Sequence, residues 1–342
     1  MINILYINLN TLKIEFKFIE NEKSLNIEKD DLVFKAPILC GYNIIGLNRL
    51  TVSSEEHKSQ CGGHFAHFMK CSGYDYIVIK GKSKEPIYIY IDKEKIYKNN
   101  SVDLNNKNYL EFEKIIKDKL KEEELEIALI GRSGENKIDF SKILFSHSKS
   151  CGKNYLGKIM GEKNLKAIIL KRYNSLNPFD EKELYKINNK ISSKISNQNI
   201  NSHFDINNNC YGCNLNCESS VISKIQKLGF NLEIANTINK LCDVNGMDSI
   251  IFSNIAKEYF SRTNISIKEL SYFTDDFINN YEKYKYLYDN LEKGNKYKDK
   301  KTKEKNKANN ELENLGFCKF LINKEILSIK DLDLLKKYTL GL

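Results

Sequence analysis

The chain has 342 residues, is 41% apolar and carries a formal net charge of +9. That length allows two or three domains and a sizeable core, and no apolar run is long enough to span a bilayer. The densest basic stretch, residues 291–310, has neither basic residues interleaved with aromatics nor a recognisable module, so it reads as a solvated linker and nucleic acid is not expected as a partner.

The opening residues "MINILYINLN" lack a basic leader region and a small-residue cleavage site, so the expected location is cytoplasmic, with the nine cysteines reduced. Strands come first. Residues 2–9 and 12–20 flank the turn Asn10–Thr11 as a hairpin. Strands follow at 32–38, 49–54, 74–82, 86–92, 125–131 and 165–171. Ile87, Ile89 and Ile91 alternate with Tyr88 and Tyr90, the two-residue period of a sheet face. Helices are expected at 62–73 and 108–124.

After about residue 178 the pattern becomes helical. Asp180 is placed to cap a helix over 178–195. Ile234, Ile238, Leu241 and Cys242 form one stripe of a helix over 231–246. Asn245–Gly246 can end it, and Asp248 or Ser249 can cap the next, over 249–260. The expected fold class is α+β. A sheet-rich, cofactor-binding N-terminal domain covers 1–174, and a helical domain 175–290. The Lys/Asn-rich linker is 291–310, and a C-terminal helical remnant is 311–342. No regular tandem repeat is visible.

"CYGCNLNC" (210–217) places Cys210, Cys213 and Cys217 within one short loop. Thiolates hold iron–sulfur clusters and zinc. The C-x2-C-x3-C spacing is neither the bacterial ferredoxin run nor the paired C-x2-C of zinc ribbons. The readings open here are a 4Fe–4S cluster with a distant fourth cysteine, zinc with Cys318 or His203 as the fourth ligand, and incidental loop cysteines. Two turns share a form, "DVNGMD" (243–248) and "ENLGFC" (313–318). Each sets an acidic residue beside a glycine at a helix end, where exposed backbone groups can bind a polar, nitrogen-rich ring. The alternative is two ordinary helix-end glycines.

Three longer stretches, 61–92, 127–144 and 156–170, followed in order by "CYGCNLNC", "LCDVNGMDSI" and "NLGFCKF", resemble the aldehyde:ferredoxin oxidoreductases. That family carries a tungsten (or molybdenum) bis-pyranopterin of the molybdopterin type beside a 4Fe–4S cluster. The resemblance implies that Cys210, Cys213, Cys217 and Cys318 are the cluster ligands. It matches Asp243 and Asp248 to the first pterin-binding turn, and Glu313 to a position where the second turn has Asp. Arg49 matches an arginine between cluster and pterin, where a guanidinium's fixed donors suit acceptors on both sides. Gln60 stands where Asn is usual. Gly62 matches a glycine close to the cofactor, where backbone can approach a ligand. The activity implied is oxidation of a small aldehyde to a carboxylic acid, with ferredoxin as acceptor. The chain itself is expected alone or as a homodimer.

The resemblance thins in three places. The family's glycine-rich loop is here "CGKNYLG" (151–157). Glu233 is the one carboxylate in 220–237, after the cysteine loop. No histidine follows His203, and the interval 249–312 is short for the family's substrate pocket. A shortened member is therefore expected, with no catalytic base assigned; His64 and His67, beside "CGG", read as cofactor-facing or as partly exposed helix residues. The alternative is a catalytically degenerate iron–sulfur protein serving electron transfer or assembly, and a further one a zinc-stabilised binding module.

Overall fold

The computed structural model describes residues 1–54, 57–146, 149–151, 155–197, 209–213, 220–263, 265–296 and 315–341. Six strands build the first sheet: β1 (Ile2–Asn8), β2 (Ile14–Ile19), β3 (Leu32–Lys35), β4 (Leu50–Ser54), β5 (His57–Cys61) and β6 (Tyr76–Lys80). Six more build the second: β7 (Ile87–Asp92), β8 (Lys95–Asn100), β9 (Leu125–Ile130), β10 (Ile143–Phe145), β11 (Lys149–Cys151) and β12 (Leu165–Lys171). Their spatial orders are β2-β1-β6-β3-β4-β5 and β8-β7-β12-β9-β10-β11. These are the same topology. In each, the first and last strands in sequence, β1 with β6 and β7 with β12, pair in parallel, and the other neighbours are antiparallel. The sheet half is thus a duplicated unit that the sequence, read for tandem repeats, does not display.

Helix α1 (Phe65–Cys71) links β5 to β6. Helices α2 (Tyr109–Leu120) and α3 (Arg132–Glu135) follow, and α4 (Leu156–Glu162) links β11 to β12 at the place equivalent to α1. Asn108 and Glu111 form a capping box at the start of α2, which satisfies two end N–H groups reciprocally. Ile87, Ile89 and Ile91 face a core shared by both sheets, α1 and α4. Tyr88 and Tyr90 face the opposite side, against Phe112 and Ile116 of α2. The alternation read from the sequence is the alternation of two cores.

Four strands escape the sequence reading: β5 ("HKSQC"), β8 ("KIYKNN"), β10 and β11. β5, β8 and β11 are edge strands; β5 and β8 are polar and β11 has three residues, so no apolar alternation marks them.

The remaining helices are α5 (Glu181–Ser196), α6 (Ser220–Gln226), α7 (Leu232–Asn245), α8 (Ser249–Arg262), α9 (Leu270–Asn279), α10 (Tyr281–Lys296), α11 (Lys319–Asn323) and α12 (Ile329–Leu340). Asp180 accepts from Glu183 N–H at the start of α5. Gly246 ends α7 with φ +75°, and Asp248 caps α8 by accepting from the N–H groups of Ile250 and Ile251. Helices α6–α10 pack around Ile138 and Phe140. Helices α5, α11 and α12 instead pack on the loop Leu39–Leu47 of the sheet half. No helix among the described residues is long and apolar enough to cross a membrane. The start of the linker expected at 291–310 is helical, as the end of α10; 297–310 lies outside the described residues.

Candidate functional site

Cys210 and Cys213 are joined by a tight turn. The N–H of Cys213 donates to the carbonyl of Cys210 at 2.9 Å. Gly212 between them has φ +67° and lies against the Asn43 side chain, so a β-carbon there would be both strained and blocked. The turn is fastened to the sheet half. Tyr211 N–H donates to Gly63 O at 3.2 Å, and Asn48 Nδ2 donates to Tyr211 O at 3.3 Å. The Tyr211 ring stacks on His67 with centroids 3.6 Å apart, and it meets His64 and Phe68 edge-on. Its hydroxyl and His67 Nε2 both bond Ser175 Oγ, at 2.8 and 3.1 Å. His64 Nε2 lies 3.1 Å from Asn209 O. A carbonyl only accepts, so this nitrogen carries the proton.

Gly62 explains why this turn fits. A β-carbon built on it would collide with Cys210 Sγ. The missing side chain is the seat of the thiol. Burial pushes the Cys210 thiol up, opposed in part by the cationic Lys149 and Arg49; Cys318 adds to the rise. Arg49 donates from Nη2 to Gln60 O at 3.2 Å, while its buried Nε has no hydrogen-bond partner among the described residues. Both polar atoms of the buried Asn209 side chain, beside Cys210, likewise have no partner among the described residues. Gln60 donates to Thr51 Oγ1 across the β4–β5 pair. Cys318 caps α11 and donates its N–H to Gly46 O at 2.7 Å. Cys210, Cys213 and Cys318 border one apolar cluster. Of the residues singled out in sequence, Arg49, Gln60, Gly62, Cys210, Cys213 and Cys318 therefore gather at one end of the first sheet. Cys217, Glu313 and His203 lie outside the described residues, and so does the middle of "CGKNYLG". Among the described residues, no three His, Cys, Asp or Glu side chains surround one point.

The "DVNGMD" turn docks on Gly131. A β-carbon on Gly131 would strike the carbonyl of Asn245. Ser133 Oγ donates to the carbonyls of Asn245 and Gly246, both at 2.7 Å, and Lys142 N–H donates to Gly246 O at 2.6 Å. Asp243 is held by Lys142 Nζ at 3.4 Å and Asn239 Nδ2 at 2.9 Å. Asp248 spends its carboxylate on the cap of α8.

A cavity of about 670 Å³ opens beside Asp243. Tyr109, Glu113, Ser146, Lys149 and Arg172 line it with Asp243. Lys149 belongs to both regions: it lines the cavity, and its side chain covers Gly63, where a β-carbon would come within 3.1 Å of its Cγ. Sequence reasoning missed Lys149, because a lysine in a short polar strand has no distinguishing pattern. It also missed Tyr211, although that residue lies inside "CYGC". His67 is fully buried, not partly exposed, and burial together with His64 pushes its imidazole down to about 3.

Residues 11–172 match the family model described as the aldehyde ferredoxin oxidoreductase N-terminal domain. The tungsten-containing aldehyde ferredoxin oxidoreductase of Pyrococcus furiosus is 37% identical over 133 residues, covering 39% of this chain and 22% of that protein. The Pyrococcus horikoshii protein of the same description is 32% identical over 120 residues, covering 35% and 20%. The WOR-like subunit of an aliphatic sulfonate oxidoreductase from Pyrococcus furiosus is 35% identical over 131 residues, covering 35% and 21%. The chain thus spans about a fifth of the length of the curated relatives it matches. Among solved structures, the BamBC active-site complex of benzoyl coenzyme A reductase aligns with a TM-score of 0.67 at 20% identity. That alignment covers 81% of this chain and 60% of the other, and shows likeness of fold alone.

Proposed function

From the premise that this chain belongs, over its N-terminal part, to the aldehyde ferredoxin oxidoreductase family, we propose that it is an iron–sulfur oxidoreductase that oxidises an aldehyde to a carboxylic acid and passes the electrons to ferredoxin. One observation supports this above the others. Lys149 covers Gly63, next in sequence to the cysteine seat on Gly62, and also lines the cavity that Asp243 lines, so one residue neighbours positions matched to two different cofactors.

The donor set fits a cluster. Cys210, Cys213 and Cys318 are soft ligands at one apolar border, Gly62 leaves the thiol room, and Arg49 Nε and the Asn209 amide are buried donors without partners among the described residues. In this reading Cys210, Cys213, Cys217 and Cys318 would hold a 4Fe–4S cluster, and Arg49, Gln60, Gly62, Asp243, Asp248 and Glu313 would hold a tungsten or molybdenum bis-pyranopterin. Together these groups supply two-electron oxidation of substrate and one-electron transfer to the acceptor. The chain's own residues bind and orient. Gly62 admits the thiol, Arg49 offers a donor toward the cluster side, and the Tyr211 clamp fixes the arm that carries Cys210 and Cys213. Asp248, bonded to the N–H groups of α8, holds the end of its turn in place.

A second reading, a degenerate member with a cluster but no turnover, is favoured by one feature. The acceptors of the "DVNGMD" turn are already occupied by Ser133, Lys142, Asn239 and the start of α8. Metal analysis of anaerobically purified protein separates the two. Iron with stoichiometric tungsten or molybdenum supports the first, and iron alone supports the second. Zinc alone would overturn both.

A further inference from the structure

The duplicated sheets bring two equivalent strand ends together. Cys61 ends β5 and Cys151 ends β11, the same position in the two copies of the topology. Each is followed by glycine in the sequence. β5 and β11 are the two edges that meet, and the thiols meet with them: Cys151 Sγ lies 3.2 Å from Cys61 Sγ. Both are buried in the core that the two sheets share. Neither belongs to the ligand set of the cysteine site. A buried pair of thiols in contact packs no better than two small apolar residues would, so their chemistry is the distinguishing property.

We propose that Cys61 and Cys151 form a reversible dithiol/disulfide couple that links the two sheets. The reaction is a two-electron oxidation. Two S–H bonds break and one S–S bond forms. The two electrons and two protons pass to a small oxidant, an azodicarboxamide reduced to its hydrazine in the test below or a hydroperoxide reduced to alcohol and water. The fold supplies the selectivity, since holding the two sulfurs together replaces a bimolecular encounter by an intramolecular one. Burial pushes the Cys61 thiol well above its usual range, opposed in part by Arg49 and Lys149. The thiolate is the nucleophile, so the pair oxidises slowly at neutral pH and faster as pH rises. The bond would tie β5 to β11 immediately before Gly62, the seat of Cys210.

The test uses the full chain, purified anaerobically and treated with diamide. It is then quenched with iodoacetamide in denaturant, digested and mapped by mass spectrometry. The expected product is one cross-linked peptide pair joining Cys61 to Cys151, lighter by two hydrogens, lost on treatment with dithiothreitol, and at least about tenfold more abundant than any other pairing. The same oxidation in denaturant should abolish that preference. Cys151→Ser and Cys61→Ser should each abolish the link, and either variant that stays folded suffices. The proposal is overturned if both cysteines are recovered alkylated after oxidation, if Cys61 pairs mainly with Cys210, or if the pairing pattern is the same in denaturant.

Discussion

Cys210 rests its sulfur on the bare α-carbon of Gly62, in the space that a side chain at 62 would fill. Gly62 does not have the positive φ of its neighbour Gly63, so its requirement is space and not backbone freedom. The glycine in the sheet half and the cysteine in the helical half are therefore one fitted pair.

Gly62→Ala should expose that fit. The added methyl group displaces Cys210, and overpacking of this kind costs about 1–3 kcal/mol. The sheet core should survive, because Gly62 lies at its edge. The expected result is a lowered melting temperature with native strand content and a marked loss of bound iron. An alanine variant with full iron and unchanged melting would show that Cys210 does not need this seat.

The cluster assignment makes a separate prediction. Anaerobic protein should contain about four irons per chain with the broad visible absorption of a cubane. Cys213→Ala and Cys318→Ala should each lose or destabilise it. Cys318 is the sharper test, because its place rests on the apolar border it shares with Cys213 and on its influence on Cys210. A full, stable cluster in Cys318→Ala would require another fourth ligand.

Most of the sheet half was legible where its strands are buried. Ile87 to Ile91 announced two faces, and the structure shows a core on each. Two edge strands were silent for a physical reason: "KIYKNN" is largely exposed, and "HKSQC" turns Ser59 and Cys61 inward instead of large apolar residues, so no apolar alternation marks either. The caps at Asp180, Gly246 and Asp248 were legible because each needs a particular side chain or a left-handed residue. The gathering of Arg49, Gly62 and Cys210 was legible only through family resemblance. Contacts such as Lys149 on Gly63, or Cys61 on Cys151, depend on how two sheets meet and have no local signature.

His67 gives a pH dependence of defined sign. Its imidazole titrates near 6.5 when unfolded and at about 3 in the fold. Between these values the unfolded chain binds the extra proton, so this group's contribution to stability falls on acidification through that window. It is complete above about pH 6.5, and the slope is about 1.4 kcal/mol per pH unit. His67→Phe keeps a ring against Tyr211 but removes the titration. Urea unfolding at several pH values should show a shallower acid loss for the variant between pH 4 and 6. An unchanged slope would mean that other groups set the acid sensitivity.

Activity is the most demanding expectation. Oxidation of an aldehyde requires a positioned proton acceptor as well as a bound redox centre. The carboxylates that line the cavity are already engaged. Glu113 and Glu123 lie 3.2 and 3.9 Å from Lys117, Glu124 lies 3.2 Å from Arg172, and Asp243 lies 3.4 Å from Lys142. Each must give up a cation before it can take a proton from substrate. His67 is buried against Tyr211 and Ser175, and His64 holds Asn209 O, so neither imidazole lines the cavity. We therefore expect this chain, loaded with iron, to oxidise simple aldehydes slowly with a viologen acceptor. Lys117→Met frees Glu113 and Glu123 from their shared cation and should raise that rate if the ion pair is what restrains them. Fast turnover by the unaltered chain with stoichiometric tungsten or molybdenum would refute this account and place the proton acceptor outside the residues that line the cavity.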